Sequence, residues 1–209
     1  MAGGVGSRFW PISKTECPKQ FLDILSVGET LIQQTFRRLQ KVCLKENIFV
    51  VTNHYYKSLC KDQINDIIED NILCEPVMRN TAPCIAYAAY KIFDLNNQAK
   101  LIIAPSDHLI LNEDAFVKSV TNVFNSVKDS DILVTLGISP SRPDTGYGYI
   151  QYSDESSSVL KNLKKVKTFT EKPNVELALQ FIDSGDFLWN AGIFIFSASA
   201  IINGFKKHL

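Results

Sequence analysis

Apolar residues recur along the chain in two rhythms. Short continuous runs, NIFVV (47–51), KLIIAPSD (100–107) and DILVTLGI (131–138), are rich in β-branched residues and predict strands buried on both faces. Between them apolar positions return every three or four residues. Ile32, Phe36, Leu39 and Cys43 line one helix face, and Phe116, Val120, Val123 and Val127 another. NTAPCIAYAAYKIF predicts a helix with Thr81 as its N-cap and Pro83 in the first turn, where a missing N–H is tolerated. Asn174 caps a further helix carrying Val175, Ala178, Leu179 and Ile182, with Gly185 just past its end. Strand–helix alternation of this kind predicts an α/β fold, an open and mostly parallel sheet with helices on both faces.

The pattern changes midway. TGYGYIQYSD and LKKVKTFTEKP alternate polar and apolar residues around the loop DESSS, and predict antiparallel additions to the sheet. GIFIFS (192–197) predicts one more strand, and ASAIINGFKKHL a closing helix.

Composition narrows the function. Lys and Arg together number 22, Asp and Glu together 22, so the basic excess of a nucleic-acid or anionic-membrane binder is missing. No apolar run has the length of a membrane span. The five cysteines are odd in number and none is spaced as CxxC, which argues for reduced thiols in the cytoplasm and against a disulfide framework or zinc site. A length of 209 residues suits one domain with a sizeable core.

The opening MAGGVGSRFWPISKTECPKQF carries the chemistry. Gly3, Gly4 and Gly6 leave backbone amides bare, and successive amides can form an anion-binding concavity. Arg8 adds a planar fork suited to phosphate oxygens, and Lys19 a compact charge beside Pro18. Glycines alone would as well make an ordinary turn with two solvated cations. The string is not a Walker loop, since no Gly-Lys-Ser/Thr follows, and position 9 is Phe where a dinucleotide fingerprint has Gly. Asp107 ends an apolar run. Its carboxylate caps a helix or turn or, beside a phosphate loop, binds magnesium.

AGGVGSRFWP followed by PKQF, and then EPVMRNTAPCIAYAA, PSDHLI, TGYGYI, FTEKP and FLWNAGIFIF in that order, resembles the sugar-nucleotide pyrophosphorylases, nucleotidyltransferases that join a sugar 1-phosphate to an NTP. RFWP and PKQF most resemble the mannose-1-phosphate guanylyltransferase group within them. Ser7, Phe9 and Ser106 depart mildly, standing where Thr, Leu and Ala are commoner. The resemblance implies a Rossmann-like fold, GTP and mannose 1-phosphate as substrates, and Mg²⁺ (or Mn²⁺) as cofactor. It implies catalytic roles for Arg8, Lys19 and Asp107, with Asp107 on the metal. It implies nucleotide contacts from Ala2, Gly3, Gly4, Gly6 and Ser7, and base recognition by Arg79, Asn80 and Thr81. It assigns Tyr147, Gly148, Glu171, Lys172 and Asn190 to the sugar phosphate. His108 is either an orienter of the metal-binding group or a surface histidine.

The implied reaction is in-line attack of the sugar phosphate on the α-phosphorus of GTP. A phosphate is already anionic, so positioning and charge neutralisation are what the protein supplies, with no covalent intermediate. The family has a strand before the glycine loop and a second metal-binding aspartate in a downstream SDVGxW-like segment. Neither lies within residues 1–209, which are expected to form one catalytic domain cut short at both ends. No nucleic-acid or membrane partner is expected, and a homodimer is compatible with the sequence. The alternatives are a pyrophosphorylase for glucose 1-phosphate with UTP or dTTP, and a sensor that binds nucleotide sugars without turnover. An oxidoreductase on a Rossmann sheet is disfavoured by the incomplete dinucleotide fingerprint.

Overall fold

The first strand pair is short. Val50–Thr52 (β1) has all three residues buried and runs parallel to Ile72–Cys74 (β2), with Val50 opposite Ile72 and Thr52 opposite Cys74. In the computed structural model, which describes residues 1–4, 9–77, 79–127, 131–153 and 163–208, β1 starts later than the apolar run 47–51 predicts. Lys45–Asn47 form a tight 3-10 turn instead, tied down by Asn71, whose Nδ2 donates to the carbonyls of Glu46 (2.9 Å) and Ile48 (3.1 Å).

Two compact units make up the chain: Met1–Leu133 with Ile195–Leu209, and Val134–Phe194. In the first, Leu31–Gln40 (α1) opens on a capping box. The Thr30 N–H donates to Gln33 Oε1 at 2.8 Å, and the Thr30 side chain meets the N3 backbone in return. Lys57–Gln63 (α2) follows a turn capped by Asn53. Thr81–Leu95 (α3) differs from expectation at its start. Thr81 is the first helical residue, and the cap position belongs to Asn80, at φ +68° and with no side-chain capping bond. Lys100–Ile103 (β3) precedes Glu113–Ser126 (α4), whose cap Asn112 accepts the Ala115 N–H at 2.9 Å. Phe116, Val120, Val123 and Val127 are all buried, as their spacing predicts. Phe21, Ile32, Phe36, Val50, Tyr56 and Ile72 lead the core. An apolar cavity of about 540 Å³ lies in this unit, lined by Ile32, Phe36, Val50, Ala88, Leu101 and Ile103 among others.

The second unit holds Val134–Ile138 (β4), Gly148–Ser153 (β5), Lys165–Glu171 (β6), Val175–Ser184 (α5) and most of Phe187–Ser197 (β7). β5 pairs antiparallel with β6 and with β7, as the change of pattern midway along the sequence predicts. β7 is longer than GIFIFS because Phe187, Trp189 and Ala191 extend the alternation of buried residues toward the N-terminus. Asn174 Oδ1 caps α5 by accepting the Leu177 N–H at 2.9 Å, and Gly185 at φ +74° closes it. Tyr149, Ala178, Phe181, Phe187 and Trp189 form the core, with Phe181 stacked on Phe187 at 3.9 Å. Ala198–His208 (α6) returns to the first unit, where the Ala198 N–H donates to Ala99 O at 2.9 Å. Within the second unit the strand order is β7-β5-β6, with β4 also paired to β7. No helix among the described residues is long and apolar enough to cross a membrane.

Candidate functional site

In the first unit the start of the glycine segment is held by backbone bonds. The Ala2 N–H donates to Val51 O at 2.7 Å, and the Ser106 N–H to Met1 O at 3.1 Å. Gln20 is 2% exposed, and its Nε2 donates to Ala2 O (3.0 Å) and Gly4 O (2.9 Å). Thr52 Oγ1 also donates to Ala2 O, at 3.1 Å. Ala2 is therefore buried with both backbone groups engaged, while Gly4 is exposed. The tight turn Lys19–Phe21 behind Pro18 sets Lys19 next to Gln20. The Lys19 ammonium meets Asp107 Oδ2 at 2.5 Å, and it lies 5.6 Å from the centre of the Phe9 ring. Gly6, Ser7 and Arg8 lie outside the described residues.

Asp107 stands four residues beyond the last residue of β3, in the turn after the strand. Its side chain is 20% exposed and that of Lys19 28%, so both reach solvent from a partly shielded corner. Burial pushes the neighbouring His108 below its ordinary value, with Lys19 and Arg38 adding to that and Asp107 opposing it. The His108 carbonyl accepts from Arg38 at 3.4 Å. Among the described residues no three His, Cys, Asp or Glu gather as a metal cluster. Magnesium commonly takes one or two protein carboxylates and completes its shell with phosphate oxygens and water, and Asp107 fits that donor set.

Arg79, Asn80 and Thr81 are exposed at the start of α3. The Asn80 side chain makes no capping bond to this fifteen-residue helix, and a helix N-terminus is a favourable end for an anion. One turn in, Cys84 packs with Val51 and Ala88 in a cluster that includes Met1. Burial pushes the Cys84 thiol up to about 11 and the Cys60 thiol up to about 12, and all five cysteines are free.

In the second unit the strand ladder assembles four of the five sugar-phosphate candidates. Gly148 pairs with Glu171, and the Lys172 N–H donates to Tyr147 O at 3.2 Å. Lys172 Nζ lies 2.9 Å from Glu171 Oε1, and Lys172 itself sits at φ +47°. Tyr149 pairs with Trp189 on the other side. Carried one residue further, that register sets Gly148 opposite Asn190. Directly opposed residues project to the same face, so Glu171 and Asn190 flank a strand position that has no side chain. The absence of that side chain matters, because a Cβ on Gly148 would lie 2.7 Å from Glu171 Oε2. Tyr147 stands edge-on to Trp189, with centroids 5.1 Å apart.

Two supports escaped sequence reasoning. Asp144 Oδ1 accepts the Gly146 N–H at 2.8 Å, Asp144 Oδ2 pairs with Arg142 at 2.6 Å, and the Tyr149 hydroxyl donates to Asp144 O at 2.9 Å. The Gly146 N–H is the main reason the Asp144 carboxyl sits below its ordinary value. Aspartate two residues before a glycine is an Asx-turn signal that could have found it. Thr135, the second, carries no local signal: its partners are more than fifty residues away.

The Nucleotidyl transferase family model matches residues 1–208. A Vibrio cholerae protein named as a putative mannose-1-phosphate guanylyltransferase is 37% identical over 210 residues, covering 100% of this chain and 44% of that protein. An Escherichia coli K12 mannose-1-phosphate guanylyltransferase is 38% identical over 214 residues, with 100% and 44% covered. The chain thus spans less than half the length of these relatives. A Thermus thermophilus crystal structure, described as a mannose-1-phosphate geranyltransferase, superposes with a TM-score of 0.88 at 29% identity, over 100% of this chain and 59% of its own.

Proposed function

The chain belongs to the nucleotidyl transferase family, and on that premise we propose that it joins GTP to mannose 1-phosphate, forming GDP-mannose and releasing pyrophosphate. The names of the Vibrio cholerae and Escherichia coli relatives support this choice of substrates. The observation that carries it is the pairing of Lys19 with Asp107 at 2.5 Å, next to Gln20, which holds the carbonyls of Ala2 and Gly4.

Gly3 and Gly4, with Gly6, Ser7 and Arg8 beyond the described segment, receive the triphosphate on backbone amides and a guanidinium. Arg79, Asn80 and Thr81 meet the base. Lys19 neutralises charge that grows on the transferring phosphoryl group. A triphosphate brings about four negative charges near neutral pH, more than Arg8 and Lys19 offset, and a divalent cation held by Asp107 supplies the remainder when bound. In the second unit Lys172 meets the phosphate of the sugar 1-phosphate. Glu171 accepts from sugar hydroxyls, Tyr147 lends a flat face, and Gly148 clears the space between Glu171 and Asn190. A sugar-phosphate oxygen forms the new bond to the α-phosphorus as the bond to the β-phosphate breaks. Pyrophosphate carries the leaving electron pair, and no side chain has to take a proton.

A substrate panel tests the reading. The full-length gene product should release pyrophosphate from GTP with mannose 1-phosphate and Mg²⁺, and much more slowly from UTP or dTTP with glucose 1-phosphate. Equal or faster turnover with the glucose pairings would replace the substrate assignment. Tight GDP-mannose binding without turnover would replace the enzyme with a sensor.

A further inference from the structure

We propose that Thr135 is a positioning residue that locks the Asn190 side-chain amide in one orientation, so that Asn190 meets its ligand only as a hydrogen-bond donor. The inference rests on the reading of Asn190 as part of the sugar-phosphate site. Thr135 lies on β4 and Asn190 on β7, and the two strands are paired.

Asn190 Oδ1 receives two hydrogen bonds, from Thr135 Oγ1 at 3.1 Å and from the Gly192 N–H at 3.0 Å. A carbonyl oxygen has two lone pairs, and both are used. Gly192 sits at φ +65° within β7, and its N–H donates to the side chain two residues earlier. A flipped amide would aim its NH2 group at that N–H and lose the bond. The Gly192 N–H therefore places an oxygen before Thr135, and the hydroxyl gains there only by donating. The Ile193 carbonyl, 3.2 Å from Oγ1, is a second acceptor for the same hydroxyl, whose single proton is shared between it and Asn190 Oδ1.

With Oδ1 occupied, Nδ2 is the group left to recognise a ligand. Its two N–H donors have no partner among the described residues, and Asn190 is only partly buried. The ligand atom it reads must be an oxygen acceptor, either a phosphate oxygen or a hydroxyl lone pair of a phosphorylated sugar. Glu171, across Gly148, offers acceptors only when ionised. The two residues read opposite hydrogen-bonding character, and Thr135 keeps Asn190 from taking over the role of Glu171.

The test uses the full-length gene product with GTP and mannose 1-phosphate. Thr135→Val keeps the shape and removes the hydroxyl, and should raise KM for mannose 1-phosphate about tenfold while KM for GTP stays unchanged. Thr135→Ser should stay within about twofold of the parent. In an Asn190→Ala background Thr135→Val should add nothing further. An unchanged KM in Thr135→Val, or effects that add in the double variant, overturns the positioning role. If Asn190→Ala itself leaves KM for mannose 1-phosphate unchanged, the reading of Asn190 falls, and the inference with it. Should Thr135→Val melt below the assay temperature, Asn190→Asp carries the test. It keeps the acceptor for Thr135 and Gly192 and loses the Nδ2 donors, so sugar-phosphate affinity should drop with the melting temperature retained. Unchanged affinity there contradicts the donor-only reading.

Discussion

Lys19 and Asp107 face each other in a corner where each still reaches solvent. Losing either leaves its partner hydratable, so the fold should tolerate the change while the chemistry does not. Lys19→Ala should lower kcat by about 10²–10³, the usual loss for a preorganised group facing developing charge. Asp107→Asn should nearly abolish turnover and leave the ligand-free Tm almost unchanged. Steady-state kinetics and calorimetry on the same preparations check both, and wild-type kcat in either variant removes that residue from the mechanism. Gly148 makes a different residue-level case. A Cβ there meets the end of a flexible carboxylate and, at 3.1 Å, the Phe169 ring. Gly148→Ala should therefore displace Glu171 at small cost in stability. KM for mannose 1-phosphate should rise about tenfold and KM for GTP stay put, a loss the size of one hydrogen bond to a charged group. A shift in GTP affinity instead would place Glu171 at the nucleotide.

At the scale of elements, α1 and α4 are joined by charge. Arg38 of α1 is 3% exposed, and its guanidinium lies 3.5 Å from Glu113 Oε1. Arg37 and Lys41 reach Glu113 Oε2 at 3.1 and 2.9 Å. Burial tends to raise the Glu113 carboxyl, but the Lys41 hydrogen bond and the charges of Arg37, Lys41 and Arg38 prevail and hold it below its ordinary 4.5. A depressed carboxyl stabilises the fold above its unfolded value, and that contribution is lost as pH falls from 4.5 through the folded value. Glu113→Gln should destabilise by about 1–3 kcal/mol near neutral pH, because Arg38 is left buried with a weaker partner. The deficit should shrink below pH 4.5, where Glu113 itself protonates. Urea titrations across pH check this, and a deficit that stays constant contradicts it. Glu69, paired with exposed Lys57 and Lys61, offers a contrast, since Glu69→Gln should leave stability unchanged within error. The helices α1 and α4 were legible in the sequence from their apolar spacing, and α5 from its cap and spacing together. β2 and α2 were not, because three and seven residues are too few to display a period. Thr81 was misplaced by one residue because αL backbone at Asn80, not side-chain capping, begins α3.

Across the whole chain, two pairs drawn from the strings that resemble sugar-nucleotide pyrophosphorylases lie in contact. Lys19 and Asp107, eighty-eight positions apart, meet in the first unit, and Gly148 meets Glu171 in the second. What the sequence did not reveal is the support behind these residues, since Gln20 and Thr135 act through long-range bonds that leave no spacing pattern, and only Asp144 carries a local turn signal. Nor did it reveal the cavity of about 540 Å³ in the first unit. Ala88, 4% exposed, lines it from α3. Ala88→Leu should extend into this space and stabilise the protein by up to about 2 kcal/mol, from roughly 0.8 kcal/mol per buried methylene. A lower Tm would mean that the cavity walls do not admit the side chain.

Isotope position distinguishes nucleotidyl transfer from any other use of GTP. Full-length gene product is incubated with mannose 1-phosphate, Mg²⁺ and GTP labelled at either the α- or the γ-phosphorus. The α-label should appear in GDP-mannose and the γ-label in pyrophosphate, with neither product formed when mannose 1-phosphate is left out. Label released as orthophosphate, or α-label that stays with GTP while GDP-mannose binds, would contradict it.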